Sequence, residues 1–202
     1  FAYEGLGSIY WHMVSKLLLA VQESILNNPN AAPDAALIEK YHDIRRGQCF
    51  YKTPTVYGAF PADPYSHTPA GQGAKQPGMT GMVKEEILAR QAELGLSILN
   101  GCLTFDFRLL KREEFFTAAA AFSYWDVNGQ QQSIQLAPGT LASTFCQVPV
   151  ILQQGGPAGI EVHFSNGQQQ VNKDLTLDAA SSAHIFQRDG VIHHLLVHVP
   201  QS

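Results

Sequence analysis

The segment from 48 to 79 is dense in short polar and aromatic side chains. It contains Asp63, Tyr65, His67 and Gln76 among several prolines, glycines and further aromatics. Carboxylates and amides can clamp pairs of hydroxyls, and aromatic rings can lie against the C–H patches of a sugar ring. A loop this long is usually functional or disordered, and its aromatic content argues against disorder. We therefore expect an ordered, functional loop that holds both kinds of group a sugar site needs.

Three other residues could hold an anion. Thr80 and Gly81 lie where a helix is expected to begin, and the free N–H groups and positive dipole end of a helix favour a phosphate or carboxylate. An ordinary helix cap is the alternative. His12 lies one helical turn before Lys16, and together they could present cationic or hydrogen-bonding groups to an anion or a sugar hydroxyl. A solvated helix face is the alternative for that pair.

Other catalytic motifs are absent from the sequence. It contains no GxGxxG, GxxxxGK[ST], GxSxG or HExxH motif. Glu85 and Glu86 could act as a general base, but acids in the first turn of a helix are also stabilised there by the dipole. We expect no cofactor, with inorganic phosphate as a conceivable co-substrate.

Histidines and cysteines do not predict a metal site. Four histidines lie near the C-terminus: His184, His193, His194 and His198. On a strand, His194 and His198 share a face about 13 Å apart, which is too far to chelate one ion. The cysteines Cys49, Cys102 and Cys146 form no CxxC pair, which is typical of free thiols in a reducing compartment.

The composition is that of a folded globular chain. Of 202 residues, 45% are hydrophobic and 15% are charged, and the net charge is −4. This acidic balance gives no attraction to nucleic acid or to an anionic membrane. The longest apolar run, Leu17 to Val21, is far shorter than the ~20 residues of a membrane span. We expect a cytoplasmic protein with no nucleic-acid or membrane partner.

Apolar periodicity and capping residues predict three helices in the first half. The first should run from Ile9 to about Leu26 after a Ser8 cap, since apolar residues recur there at three and four positions. The second should begin at Pro33 and close at Gly47, and the third should begin near Thr80 and end at Gly95. The first half is therefore expected to be helical.

The second half reads as strands. Asn128-Gly129, Asn166-Gly167 and Asp189-Gly190 are dipeptides that favour two-residue hairpin turns, with no helical pattern between them. They predict an antiparallel β-sandwich or jelly roll. The expected fold class is α+β, with a helical segment over residues 1–100 followed by a β-sandwich domain over 101–202.

The order of these elements resembles the C-terminal part of the cellobiose phosphorylase family and related glycoside phosphorylases. The resemblance rests on three stretches: Gly7-Ser8-Ile9-Tyr10-Trp11-His12, Asp63-Pro64-Tyr65 and Met79-Thr80-Gly81-Met82. It implies the end of a six-hairpin α/α barrel followed by a jelly-roll-like domain. It also implies that His12 points toward a phosphate site that Thr80 and Gly81 help to form. Met82 and the charges at 84–86 depart from the family pattern, so phosphorolysis and hydrolysis both stay open.

The resemblance implies a C-terminal fragment of a carbohydrate-active enzyme of the glycoside phosphorylase or glycosidase type. The family's catalytic acid lies upstream of these residues, so the chain alone should be inactive. Its expected partners are a carbohydrate, the missing N-terminal part of the same protein and further copies of itself. Because Tyr10, Leu17, Leu18 and Ile25 should leave apolar surface uncovered, we expect residues 1–80 to self-associate or to pack their helices on the β domain. The alternative is a non-catalytic carbohydrate-binding or assembly module.

Overall fold

The computed structural model describes residues 5–27, 34–47 and 80–200, with side chains described over 13–27, 34–47 and 84–200. Backbone contacts divide the chain into two compact units, Phe1–Leu94 and Gly95–Ser202. The first unit is helical in its described residues, and the second contains the strands. The α+β class, with N-terminal helices followed by sheets, is therefore confirmed.

The helical unit contains α1 (Gly5–Leu26), α2 (Ala35–Gly47) and α3 (Thr80–Glu93). The predicted ends of α1 and α3 are confirmed, but α1 begins earlier than expected and places Ser8 inside the helix rather than at its cap. Before α2, Asp34 accepts hydrogen bonds from the N–H groups of Ala36 and Leu37 at 3.0 and 3.1 Å. This side-chain cap explains why α2 starts just after Asp34.

Helix α1 packs against both α2 and α3. Leu18 and Ile25 are buried, so the expectation that they stay uncovered is wrong, because their face of α1 is covered within this chain. Leu17 is 56% exposed, as expected. Within the described residues, none of the helices combines the length and apolar character needed to cross a bilayer.

The second unit begins with two hairpins. β1 (Leu96–Leu99) pairs with β2 (Cys102–Phe105), and β3 (Ala120–Trp125) pairs with β4 (Gln131–Leu136). The turn between β3 and β4 contains Asn128-Gly129, as predicted. The first turn is Asn100-Gly101, with positive φ at both residues, and the sequence analysis missed it although the dipeptide is of the same type.

The main sheet has five strands in the order β5-β6-β9-β7-β8. Their ranges are β5 (Thr140–Phe145), β6 (Val148–Gln154), β7 (Gly159–Phe164), β8 (Gln169–Asn172) and β9 (Ile192–Val199). The predicted turn at Asn166-Gly167 connects β7 to β8. Strands β6 and β9 pair in parallel, and the other pairs of this sheet are antiparallel.

The third predicted hairpin is wrong, because Asp189-Gly190 follows a helix. Helix α4 (Ala179–Gln187) lies between β8 and β9. Asp178 caps α4 by accepting a hydrogen bond from the N–H of Ser181 at 2.8 Å, and Arg188 ends it in the left-handed conformation. Asp189 then accepts a hydrogen bond from the N–H of Val191 at 3.0 Å, so this turn leads from a helix into β9.

One face of the main sheet forms the core of the second unit. The buried residues alternate along the central strands: Val150, Leu152, Ile160, Val162, Leu195, Val197 and Val199. Helix α4 packs against β2 and β9, and Ile185 is fully buried. The hydroxyl of Ser182 accepts a buried hydrogen bond from the N–H of Leu103 at 3.0 Å. Each fully buried aliphatic side chain contributes about 1.5–3 kcal/mol, so this face stabilises the unit.

Candidate functional site

Helices α1 and α3 run parallel to each other. Near the middle of α1, Lys16 Nζ lies 3.4 Å from Glu85 Oε1 in the first half of α3. Farther along both helices, the hydroxyl of Tyr41 lies 3.4 Å from Gln22 and 3.1 Å from Glu93. From the first contact to the second, the residue number rises along both helices, from 16 to 22 in α1 and from 85 to 93 in α3. The two helices therefore have their N-termini at the same end of the unit.

A buried charge cluster joins α2 to α3. Arg45 is fully buried and donates to both carboxylate oxygens of Glu86, at 2.7 and 2.9 Å. Its Nε donates to Glu93 Oε1 at 2.6 Å, and the hydroxyl of Tyr41 donates to the same oxygen at 3.1 Å. We call Tyr41, Arg45, Glu86 and Glu93 the Arg45 cluster. Arg45 lies in the last turn of α2, and its partners Glu86 and Glu93 lie along α3. The Arg45 cluster therefore fixes the position of α3 relative to α2.

Arg45 stays charged because its partners in the Arg45 cluster compensate for its burial. Burial disfavours the charged guanidinium of Arg45, but the hydrogen bonds with Glu86 and Glu93 outweigh this effect and raise its pKa. Burial, reinforced by the negative charge of Glu93, raises the pKa of Tyr41, so its hydroxyl keeps its proton. Arg90 adds a second cation 3.2 Å from Glu93. Paired in this way, buried charges stabilise a defined geometry.

The predicted anion-binding residues lie on the parallel helices. His12 belongs to α1, and Thr80 and Gly81 are the first two residues of α3. One turn before Lys16 is His12, and one turn before Glu85 is Gly81, so the ion pair places positions 12 and 81 at corresponding levels. Their side chains lie outside the described set. The predicted sugar-binding residues also lie outside the described residues: Asp63, Tyr65, His67 and Gln76.

The two glutamates proposed as bases have cationic partners. Glu86 is held by the guanidinium of Arg45, and the buried Glu85 lies against Lys16. Lys16, which could have faced an anion together with His12, thus directs its ammonium group toward Glu85 of α3. These contacts fix α3 against α1 and α2. The predicted anion-binding positions 12, 80 and 81 lie in the N-terminal halves of α1 and α3.

A second group of titratable side chains lies on the main sheet, on the face opposite its core. His163 of β7 is paired across the strands with His194 of β9, and their rings stack with centroids 4.1 Å apart. Glu161 Oε1 lies 2.7 Å from His198 Nε2. We call Glu161, His163, His194 and His198 the histidine face. The sequence analysis missed His163 because the register of β7 against β9 is a long-range property.

The electrostatics of the histidine face favour a neutral imidazole at His194. Burial, with the nearby His163 and His193, lowers the pKa of His194 to about 4. The hydrogen bond from His198 lowers the pKa of Glu161 below its usual range. His184, which was expected across a hairpin from these residues, lies on α4 and contacts Asp189 at 2.6 Å. Among the described residues, no group of three His, Cys, Asp or Glu side chains could hold a metal ion.

Comparison with known proteins adds no relative to these observations: no family model matches the chain, and no curated protein sequence matches it.

Proposed function

We propose that this chain is the C-terminal part of a carbohydrate-active enzyme of the glycoside phosphorylase or glycosidase type. In this proposal His12 of α1 and the N-terminal end of α3 line the phosphate or water site, and the segment 48–79 binds the sugar. The catalytic acid and the remaining barrel helices belong to a preceding part of the same protein. The observation that supports the proposal is the parallel arrangement of α1 and α3, with α2 between them in sequence.

The helix directions fit a barrel of α-hairpins. In such a barrel each hairpin contributes one inner and one outer helix, so that all inner helices run in the same direction and oppose the outer ones. Along α2, Tyr41 contacts Glu93 near the end of α3, whereas the later residue Arg45 also reaches the earlier Glu86. Helix α2 is therefore antiparallel to α3. The order α1, α2, α3 corresponds to inner, outer and inner helices.

The same directions favour an anion at the proposed site. At the level of His12, α3 directs its positive dipole end and its free N–H groups toward the site. His12 lies at the level of Gly81 along α1, and an imidazole carries a positive charge below its ordinary pKa of ~6.5. An attacking phosphate or a polarised water would be stabilised there while charge develops during glycosidic bond cleavage.

Phosphate binding by the chain tests the site. In NMR titrations with inorganic phosphate, we expect saturable shifts of the amide signals at residues 80–83, stronger at pH 6 than at pH 8. Thr80→Val should weaken binding about tenfold or more, the value of one hydrogen bond to a charged group. Ser24→Ala, on the far half of α1, is the matched control and should leave binding unchanged. Shifts confined to other residues, or no saturation, would contradict the proposal.

Turnover by the full-length protein tests the reaction. A phosphorylase should cleave its glycoside only with phosphate present and release a sugar phosphate, whereas a hydrolase should turn over without phosphate. Thr80→Val should then weaken phosphate dependence more than sugar binding. Equal loss of both would show that the start of α3 supports the fold instead of the ligand.

A further inference from the structure

A polar pocket in the second unit has the chemistry of a sugar-hydroxyl site. It has a volume of about 190 Å³ and lies where the β3–β4 hairpin meets the β5–β6 turn and the start of β9. Its lining includes Tyr124, Asp126, Gln132, Gln147 and His193. The volume far exceeds the ~10–15 Å³ needed for one water but lies below the ~300–1,000 Å³ of drug-sized ligand sites. The pocket therefore suits a small group, such as a single sugar ring.

Hydrogen bonds inside the pocket wall orient its acceptors. The amide nitrogen of Gln132 donates to Asp126 Oδ2 at 3.0 Å, and that of Gln147 donates to the backbone oxygen of Asp126 at 2.9 Å. Because each amide is anchored through its nitrogen, its carbonyl oxygen remains as an acceptor. Asp126 Oδ1 already accepts from the N–H groups of Asn128 and Gln130 at 2.9 and 2.8 Å. The wall thus offers oriented oxygen acceptors, which suit ligands rich in O–H donors.

The pocket favours a neutral ligand over a cation. Asp126 is the one carboxylate in the lining, and its charge is already shared among hydrogen bonds from two backbone N–H groups and one amide. Those bonds lower the pKa of Asp126, so it remains an acceptor at neutral pH. Tyr124 adds an aromatic ring of the kind that packs against sugar C–H groups.

Gln147 lies in the pocket wall in a strained backbone conformation. The β5–β6 turn consists of Cys146 and Gln147, which both have positive φ, at 49° and 66°. Turns of this shape usually contain Asn and Gly, because other side chains are strained there. Strain of this kind persists where the surrounding structure enforces it, and it concentrates at functional sites. Of the two strained residues, Gln147 is the one whose side-chain amide donates a hydrogen bond to the backbone oxygen of Asp126.

We propose that this pocket binds one ring of a neutral saccharide through Asp126, Gln132 and Gln147. The site lies wholly within the second unit, so it does not depend on the proposed phosphate site of the helical unit. A carbohydrate-active enzyme would gain from it a second contact with its substrate, outside the reaction site.

NMR titration of the full chain with methyl glycosides of glucose, galactose, mannose, xylose and N-acetylglucosamine tests the site. At least one glycoside should cause saturable shifts at amides 126–132, 147 and 190–193. Ethylammonium is the cationic probe, and saturation by it alone would overturn the proposal. The absence of saturation by any glycoside at 100 mM would also overturn it. Phosphate titration reports separately on residues 80–83, so the two proposals fail independently.

Variants assign the binding to the pocket wall. Gln132→Met should weaken binding of the responding glycoside about tenfold. The variant removes the acceptor oxygen of Gln132 and the hydrogen bond that orients Asp126 Oδ2. Gln135→Met is the matched control, because Gln135 lies exposed on the same strand and does not line the pocket. Gln147→Gly should keep the fold, as glycine accepts positive φ, yet lose binding. Unchanged affinity in both pocket variants would refute the assignment.

Discussion

Arg45 is the side chain on which the helical unit depends most. It is a fully buried cation between two carboxylates, and the pair that it forms with Glu93 is buried on both sides. Removing one partner from such a pair leaves an uncompensated charge in a poorly solvated place, which costs more than the pair itself contributes. The neighbouring Arg46 is half exposed and pairs with Asp43 on the surface. Two adjacent arginines thus have opposite expected sensitivities.

Arg45→Leu should lower the free energy of unfolding of the helical unit by about 3–5 kcal/mol, because Glu93 would stay buried without its main cation. Arg46→Leu should change it by less than about 1 kcal/mol, as is usual for a surface ion pair. Urea denaturation followed by the circular dichroism of the helices measures both. Similar losses for the two variants would show that burial does not govern the role of Arg45.

The histidine face should make the second unit less stable in acid. The pKa of His194 is about 4 in the folded chain, below its ordinary value of 6.5, so the unfolded chain binds more protons between these values. The unfolding free energy should therefore fall as the pH drops from 6.5 toward 4, by about 1–2 kcal/mol after allowance for solvent screening. Glu161, whose pKa is lowered, acts in the same direction at lower pH because its stabilisation is lost on protonation.

Chemical denaturation at pH 7.0, 6.0 and 5.0 measures this dependence. His194→Gln, which cannot be protonated, should flatten the profile, whereas His184→Gln on α4 should keep it. A profile of wild-type steepness in His194→Gln would assign the proton uptake to other groups.

Local signals predicted most element boundaries, whereas long-range pairings could not be predicted. Helix ends at Leu26, Gly47 and Thr80 and the hairpins at Asn128 and Asn166 follow from capping, periodicity and turn residues that act over a few positions. The parallel pairing of β9 with β6 depends on the packing of distant strands and carries no local signature. Helix α4 was missed although Asp178 is a good N-cap, because its nine residues are too few for a clear period.

The cap of α4 should make a measurable contribution to the free energy of unfolding of the second unit. Asp178→Ala should destabilise the second unit by about 1 kcal/mol, since the N–H of Ser181 loses its acceptor at the start of α4. Amide hydrogen exchange should speed up in α4 and at the N–H of Leu103, which bonds to the hydroxyl of Ser182. Asp174→Ala is the control, because Asp174 is exposed and precedes the cap by four residues. Equal effects of the two alanines would show that the cap contributes little.

At the scale of the whole molecule, the sequence predicted the candidate site by residue type and order. The structure adds the parallel directions of α1 and α3, which depend on the buried contacts of Tyr41 and Arg45. These contacts join residues far apart in the chain, so neither helix alone reveals them. The pocket at Asp126 also lacked a sequence signal, because its wall combines four strands and four connecting segments that meet only in the fold.

The helical unit should associate through its uncovered apolar side chains. Leu17 of α1 and Leu88 of α3 are 56% and 50% exposed, and the exposed Met13 and Ile87 lie one turn before Leu17 and next to Leu88. Such side chains favour contact with neighbouring helices, either those of the proposed barrel or those of a second copy. Replacing both leucines with glutamine should leave the fold intact, since the residues are not part of the core.

Sedimentation velocity over a concentration series measures this association. The chain should show a rising average mass with concentration, and the double variant Leu17→Gln, Leu88→Gln should shift that rise to higher concentration. Val171→Gln is the matched control, because Val171 is 68% exposed but belongs to the second unit. If the control weakened association as much as the double variant, the contact would lie on the sheet. If the wild-type chain stayed monomeric throughout, α1 and α3 would not present an adhesive face, and their role as inner barrel helices would lose this support.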